Sequence, residues 1–151
     1  MIFVCWGNIC RSPMAERVAE RAAAEEGLTG VHFTSAATSA EELGEPIDPR
    51  AAKVLARHGY RSDLHQAHRI TADEIAQADL VIAMEDIHVT KMAGLAPEAD
   101  NVALLTDFDP NAEPGSGVPD PWYGSASGFD ETLRAIEAAM PGVLERVRGL
   151  R

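Results

Sequence analysis

The sequence predicts an α/β fold in a single domain, a parallel sheet of four short strands joined by crossover helices. Three observations carry this prediction. Short apolar runs alternate with stretches of helical periodicity, and no internal repeat or shift in composition divides the chain. Its 151 residues suit one core, burying roughly 70% of the unfolded surface without help from a disulfide or metal.

Residues 2–4, Ile-Phe-Val, read as a buried first strand. After the loop of residues 5–12 comes a helix, with Ser12 as candidate N-cap and Pro13 at the first helical position. Ala15, Val18, Ala19 and Ala22 then recur at helical spacing up to Gly27. Residues 31–35 read as the second strand. Residues 49–58 form a helix with Ala52, Leu55 and Ala56 on its apolar face, ended by Gly59. Thr71 precedes another short helix. The continuous apolar run 80–84 is the strongest candidate for a central strand; a helix follows at 87–93 and the fourth strand at 102–105. Residues 106–128 contain Pro110, Pro114, Pro119 and Pro121 and read as a long loop with little regular structure, of the kind that is usually functional or disordered. The last helix starts near Phe129 and runs through Leu133, Ile136, Met140, Val143 and Val147, with Pro141 expected to kink or split it.

A formal net charge of -11 argues against a nucleic-acid surface, which is built from clustered Lys and Arg. Acidic residues gather at Glu41, Glu42, Glu45 and Asp48 and again at Asp107, Asp109, Glu113 and Asp120, either as solvated faces or as a rim favouring basic protein substrates. No window has the length and apolarity of a membrane span and the N-terminus has no leader pattern, so a cytoplasmic protein without a membrane partner is expected. The two cysteines, spaced Cys-x4-Cys, match neither a disulfide framework nor a zinc site, and the five histidines lack ligand spacing; no metal or cofactor is expected.

The loop Cys5-Trp6-Gly7-Asn8-Ile9-Cys10-Arg11-Ser12 concentrates the chemistry. A cysteine that ends a strand and faces a helix N-terminus sits where the dipole favours an anion and a thiolate nucleophile. Arg11 offers a planar fork for two phosphoryl oxygens, and the amides of Trp6, Gly7, Asn8, Ile9, Cys10 and Ser12 can supply further donors. Gly7 and Asn8 are residue types that tolerate the positive φ needed to converge those amides. Exposed aromatics at Trp122 and Tyr123, with Trp6, can sandwich a phenyl ring beside such a pocket.

A bare Cys-x5-Arg pattern is weak, but residues 4–16 together with Asp120-Pro121-Trp122-Tyr123-Gly124 closely resemble the low-molecular-weight protein tyrosine phosphatase family. Ser35-Ala36-Ala37-Thr38, Gly44-Glu45-Pro46, Asp48-Pro49-Arg50 and Arg57-His58-Gly59 extend the resemblance over essentially the whole chain. It implies a four-stranded parallel sheet flanked by helices on both faces, with the phosphate-binding loop after the first strand. It implies further that Cys5 is the nucleophile, Arg11 the phosphoryl ligand and Asp120 the general acid and base, with Asp107 and Asp109 as alternatives. Asn8 and Ser12 would brace the loop, Ser12 donating toward the Cys5 sulfur, which competes with its reading as a cap. A reversible Cys5–Cys10 disulfide is also implied, the alternative being that Cys10 is a passive loop residue whose amide alone matters. The implied partners are phosphotyrosine proteins, which the sequence does not separate from phosphoarginine or small aryl phosphates as substrates, with inorganic phosphate as product and inhibitor; a monomer is expected.

The chain departs from the family pattern at Glu41, where an aromatic usually lines the cleft, and at Glu85 and His88, which replace Asp and Asn. His68-Arg69 likewise replaces Arg-Gln; apart from Glu41, which bears on substrate preference, these changes read as structural. A thiol-coupled arsenate reductase on the same fold would need more cysteines than two, and a binding module without turnover could dispense with Asp120.

Overall fold

In the computed structural model of the protein, which describes residues 1–150, four strands pair entirely in parallel: β1 (Ile2–Cys5), β2 (Thr34–Ala37), β3 (Val81–Ala83) and β4 (Val102–Leu104). Their order is β2-β1-β3-β4. The helices are α1 (Arg11–Glu25), α2 (Pro49–Arg57), α3 (Ala72–Gln77), α4 (Asp86–Leu95) and α5 (Ser127–Gly149).

Strand alternation divides the core into two layers. Phe3 and Ile82 point to one face, where Met14, Val18, Leu55, Leu133 and Ile136 of α1, α2 and α5 cover them. Ile2, Val4, Val81 and Ala83 point to the other and meet Ile75 of α3 and Met92 of α4. A sheet buried on both sides explains the unbroken apolar run around β3. Because the chain leaves β1 for β2 on one side and returns to β3 on the other, the carboxyl ends of β1 and β3 flank a crevice, and Cys5 ends β1 there.

Several expected boundaries move. The second strand is 34–37 rather than 31–35, because the ladder pairs Ile2 with Thr34 and Cys5 with Ala37. Phe33 lies before it and stacks on Phe3 at 6.3 Å, so the apolar signal came from packing outside the ladder. Helix α1 starts at Arg11, two residues before Pro13, and Cys10 rather than Ser12 holds the cap position, with no side-chain cap bond. The long loop contains two 3-10 turns, Leu105–Phe108 and Pro121–Tyr123. Pro141 does not split α5, which buries Phe129, Leu133, Ile136, Met140, Val143, Leu144 and Val147 along its length. Burial on both sides of the proline outweighs the one backbone bond it forfeits. The next residue, Gly142, lets α5 approach the first 3-10 turn: a Cβ there would overlap the Phe108 carbonyl oxygen. Among the described residues no helix is long and apolar enough to cross a membrane.

Candidate active site

The phosphate loop is shaped by where its carbonyls go. Trp6 O accepts from Ser39 N at 3.0 Å and Ser39 Oγ at 2.9 Å, Ile9 O accepts from Asp48 N at 2.8 Å, and Asn8 O meets the His65 ring Nε2 at 2.6 Å. A planar trans peptide points its N–H opposite to its C=O. These outward carbonyls therefore turn the N–H groups of Gly7, Ile9 and Cys10 toward the cleft that those three residues line. Asn8 adopts φ 58°, the left-handed conformation that reverses the chain. Burial holds the His65 imidazole below its ordinary value, which keeps the ring neutral with its Nε2 hydrogen free for Asn8 O.

Asn8 and Ser12 form the buried underside of this loop, and neither lines the cleft. Their side chains hold the loop from behind. Asn8 Nδ2 donates to Ser12 Oγ at 2.8 Å, and Asn8 Oδ1 accepts from His68 N at 3.1 Å. With its oxygen serving that amide, the Ser12 hydroxyl has its hydrogen free for Cys5 Sγ at 3.0 Å, closer than Ala36 O at 3.5 Å. Ser12 N also donates to Sγ at 3.4 Å. Of the two roles open to Ser12, the thiol partner is the one the geometry supports.

Arg11 is only 2% exposed. Its Nη1 donates to Val118 O at 2.8 Å and to the Glu85 carboxylate, while Nη2 faces Asp120 Oδ2 at 3.6 Å. Part of the fork is therefore taken up in holding the arginine, rather than all of it being offered to an oxyanion. Glu85, expected to be structural, is a direct partner of this guanidinium. It also caps α4, whose His88 Nδ1 accepts from Glu85 N at 3.1 Å. Burial first, and then the positive charges of Arg11 and Lys91, push His88 down to about 4, so the ring is a neutral acceptor.

Across the cleft, of about 270 Å³, stands Asp120. Its Oδ1 accepts from Trp122 N at 3.0 Å, which caps the short 3-10 turn. The alternatives are engaged elsewhere: Asp109 Oδ1 accepts from Asn111 N at 2.9 Å and Asp107 Oδ1 from Gly115 N at 3.5 Å, and neither lines the cleft. Trp122 and Tyr123 are 43% and 88% exposed, so they are wall residues rather than core. Glu41 accepts from Trp6 Nε1 at 3.0 Å, and Lys91 sits 4.7 Å from the centre of the Trp6 ring. Glu42 also lines the cleft. Asp48, grouped with these acids in the sequence, is instead buried and paired with Arg50. Cys10 is a free, buried thiol, pushed up by burial and then by the negative charges of Asp48, Cys5 and Asp120.

A sulfur set among amide donors, with a guanidinium beside it and a carboxylate opposite, is the apparatus of a cysteine-dependent phosphohydrolase. A family model for the low molecular weight phosphotyrosine protein phosphatases matches residues 1–149, and the chain belongs to that family. A low molecular weight protein-tyrosine-phosphatase of Streptomyces coelicolor is 44% identical over 97% of this chain and 92% of its own. Among solved structures, a protein tyrosine phosphatase from Entamoeba histolytica with Hepes in the active site superimposes with a TM-score of 0.92 at 28% identity, covering 98% of this chain and 96% of that one. Vibrio vulnificus Wzb in complex with benzylphosphonate gives 0.83 at 28% identity, covering 96% of each.

Proposed function

We propose that the protein hydrolyses phosphotyrosine monoesters through a phosphocysteine on Cys5. The Cys5 sulfur attacks phosphorus, a S–P bond forms as the P–O bond to the tyrosyl oxygen breaks, and Asp120 delivers its proton to that oxygen. Water then attacks phosphorus, a new P–O bond forming as the S–P bond breaks and the Cys5 thiolate leaves, while Asp120 takes the water proton; the inorganic phosphate released competes for the same loop. Arg11 and the loop amides hold the charge spread over the equatorial oxygens.

The observation that carries this reading is the placement of Asp120 Oδ2 3.6 Å from Arg11, on the cleft that Cys5 also lines. Trp6, Trp122 and Tyr123 form the wall against which an aryl ring can rest, and the benzylphosphonate complex of the Vibrio relative is in keeping with that use. Phosphoserine is too short to bring its phosphorus to the loop from between those walls. Glu41 and Glu42 at the mouth disfavour acidic flanking residues and favour basic ones. The working form is a cytoplasmic monomer without cofactor. Cys10 provides a reversible safeguard: a peroxide oxidises Cys5 to a sulfenic acid, and the Cys10 thiol condenses with it to a disulfide, expelling water.

Hydrolysis of aryl phosphates in the presence of chelator tests the reading. The natural protein turns over, Cys5→Ser loses at least about four orders of magnitude, and Asp120→Ala loses about 10²–10³-fold, more for poorer leaving groups. Full activity in Cys5→Ser overturns it.

A further inference from the structure

Between the phosphate loop and the acid turn lies a residue that lines neither. Asp48 donates its backbone N–H to Ile9 O at 2.8 Å, and its buried carboxylate is gripped twice by Arg50, Nε to Oδ1 at 3.1 Å and Nη2 to Oδ2 at 3.0 Å. Burial alone would push the Asp48 carboxyl up, but the bonds from Arg50 and from backbone N–H groups outweigh it and hold the group below its usual range. The remaining nitrogen of Arg50, Nη1, reaches Trp122 O at 3.3 Å. Its guanidinium carbon lies 4.9 Å from the centre of the Trp122 ring and 4.6 Å from that of Phe129, at the start of α5. Trp122 in turn is the residue whose N–H caps on Asp120.

We propose that Arg50 is the positioning residue that fixes Asp120 for proton transfer, by clamping the 3-10 turn at Trp122 to the shoulder of the phosphate loop at Asp48. The proposal rests on Asp120 being the general acid. All of the fork is used: two nitrogens grip a carboxylate fixed to the phosphate loop, and the third holds the carbonyl of the acid turn. The flat faces of Trp122 and Phe129 confine the guanidinium plane. A lysine would supply the charge at one point but could not span both sides. Misplacing a catalytic carboxylate by about 1 Å can cost on the order of 10²-fold.

The test measures kcat for p-nitrophenyl phosphate and phenyl phosphate, a good and a poor leaving group, and inhibition by inorganic phosphate, in four proteins: natural, Arg50→Lys, Asp120→Ala and the double variant. If Arg50 acts through Asp120, Arg50→Lys loses about tenfold or more on phenyl phosphate and clearly less on p-nitrophenyl phosphate. Phosphate inhibition then shifts less than about twofold, and adding Arg50→Lys to Asp120→Ala costs less than about twofold more. A loss equal for both leaving groups that persists in the Asp120→Ala background overturns the proposal, since it marks a general effect on folding or on the phosphate loop. Unimpaired turnover by Arg50→Lys overturns it as well. The Asp120→Ala protein read alone reports on the underlying reading: if its loss does not depend on the leaving group, the acid assignment falls and the proposal falls with it.

Discussion

In the phosphate loop the carbonyls of Trp6, Asn8 and Ile9 all end on partners outside the loop, whereas in the acid loop the hydrogen bond of Asp120 closes on its own turn and Trp122 and Tyr123 stand in solvent. The difference follows from the work each does. Inward amides stabilise a phosphoryl transition state only if they need not reorganise, so the loop that carries them is fastened from outside and below. The acid must let a tyrosyl ring in and out, so its turn is tied at the backbone, where Arg50 holds Trp122 O, while its aromatic wall stays open. The fastened loop is expensive to disturb and the exposed rim of the cleft is cheap.

The largest effect is expected from Asn8→Ala. The change leaves Ser12 Oγ and His68 N without the partners at 2.8 Å and 3.1 Å, and places at φ 58° a residue with no side chain to support that conformation. Two lost bonds and the backbone strain sum to about 3–4 kcal/mol, read by denaturant unfolding, with loss of turnover at any leaving group. A loss below about 1 kcal/mol would break the comparison, because the phosphate loop would then be no better fastened than its neighbour.

The histidine that accepts from the Glu85 backbone, behind the partner of Arg11, should make the fold sensitive to acid. A buried His88 pushed down to about 4, against 6.5 in the unfolded chain, stays neutral while the unfolded state takes up a proton. Its contribution is complete above pH 6.5 and is lost as pH falls from there through 4, up to about 3 kcal/mol in all. His88→Asn keeps an acceptor for Glu85 N–H but cannot take a proton near these pH values. Its melting temperature should fall less than that of the natural protein between about pH 7 and pH 4.5. Equal acid sensitivity of the two proteins would show that this histidine is not held neutral beneath Arg11.

The same contrast governs what could be read from the sequence. Cys5, Arg11 and the loop between them are contiguous, so strand, loop and helix signals located them together, and the α/β alternation was plain from β1, α1 and β3. Asp120 is separated from them by most of the chain; periodicity marked its segment only as a proline-rich loop, and its role came through family resemblance. Glu85 and Arg50 carry no local mark of their roles, since their contacts span 74 residues to Arg11 and 72 to Trp122. Non-local pairing of this kind leaves no pattern at any local spacing. For β2 the error was different in kind: Val31 and Phe33 carry a strong apolar signal, while the residues that pair with β1 are the small Ser35, Ala36 and Ala37.

The smallest effect belongs to the open rim, and it sharpens the comparison from the other side. Glu41 is exposed and its carboxylate accepts from the edge of Trp6, so Glu41→Lys should leave stability within about 0.5 kcal/mol of the natural protein. The kcat on a small aryl phosphate should be unchanged, since Glu41 touches the loop only through the indole edge of Trp6 and none of the inward amides depends on it. What should move is selectivity. Replacing a negative charge at the mouth with a positive one reverses the local field, so kcat/KM for a phosphotyrosine peptide with acidic flanks should rise about three- to tenfold relative to one with basic flanks at low ionic strength. The gain should shrink toward none in about 0.5 M salt, because exposed charges are screened over a few ångströms under those conditions. A selectivity indifferent to the substitution would mean that flanking residues do not pass near Glu41, leaving it a solvated carboxylate. A selectivity that changes but ignores salt would mean that Glu41 acts by shaping Trp6 rather than by its charge.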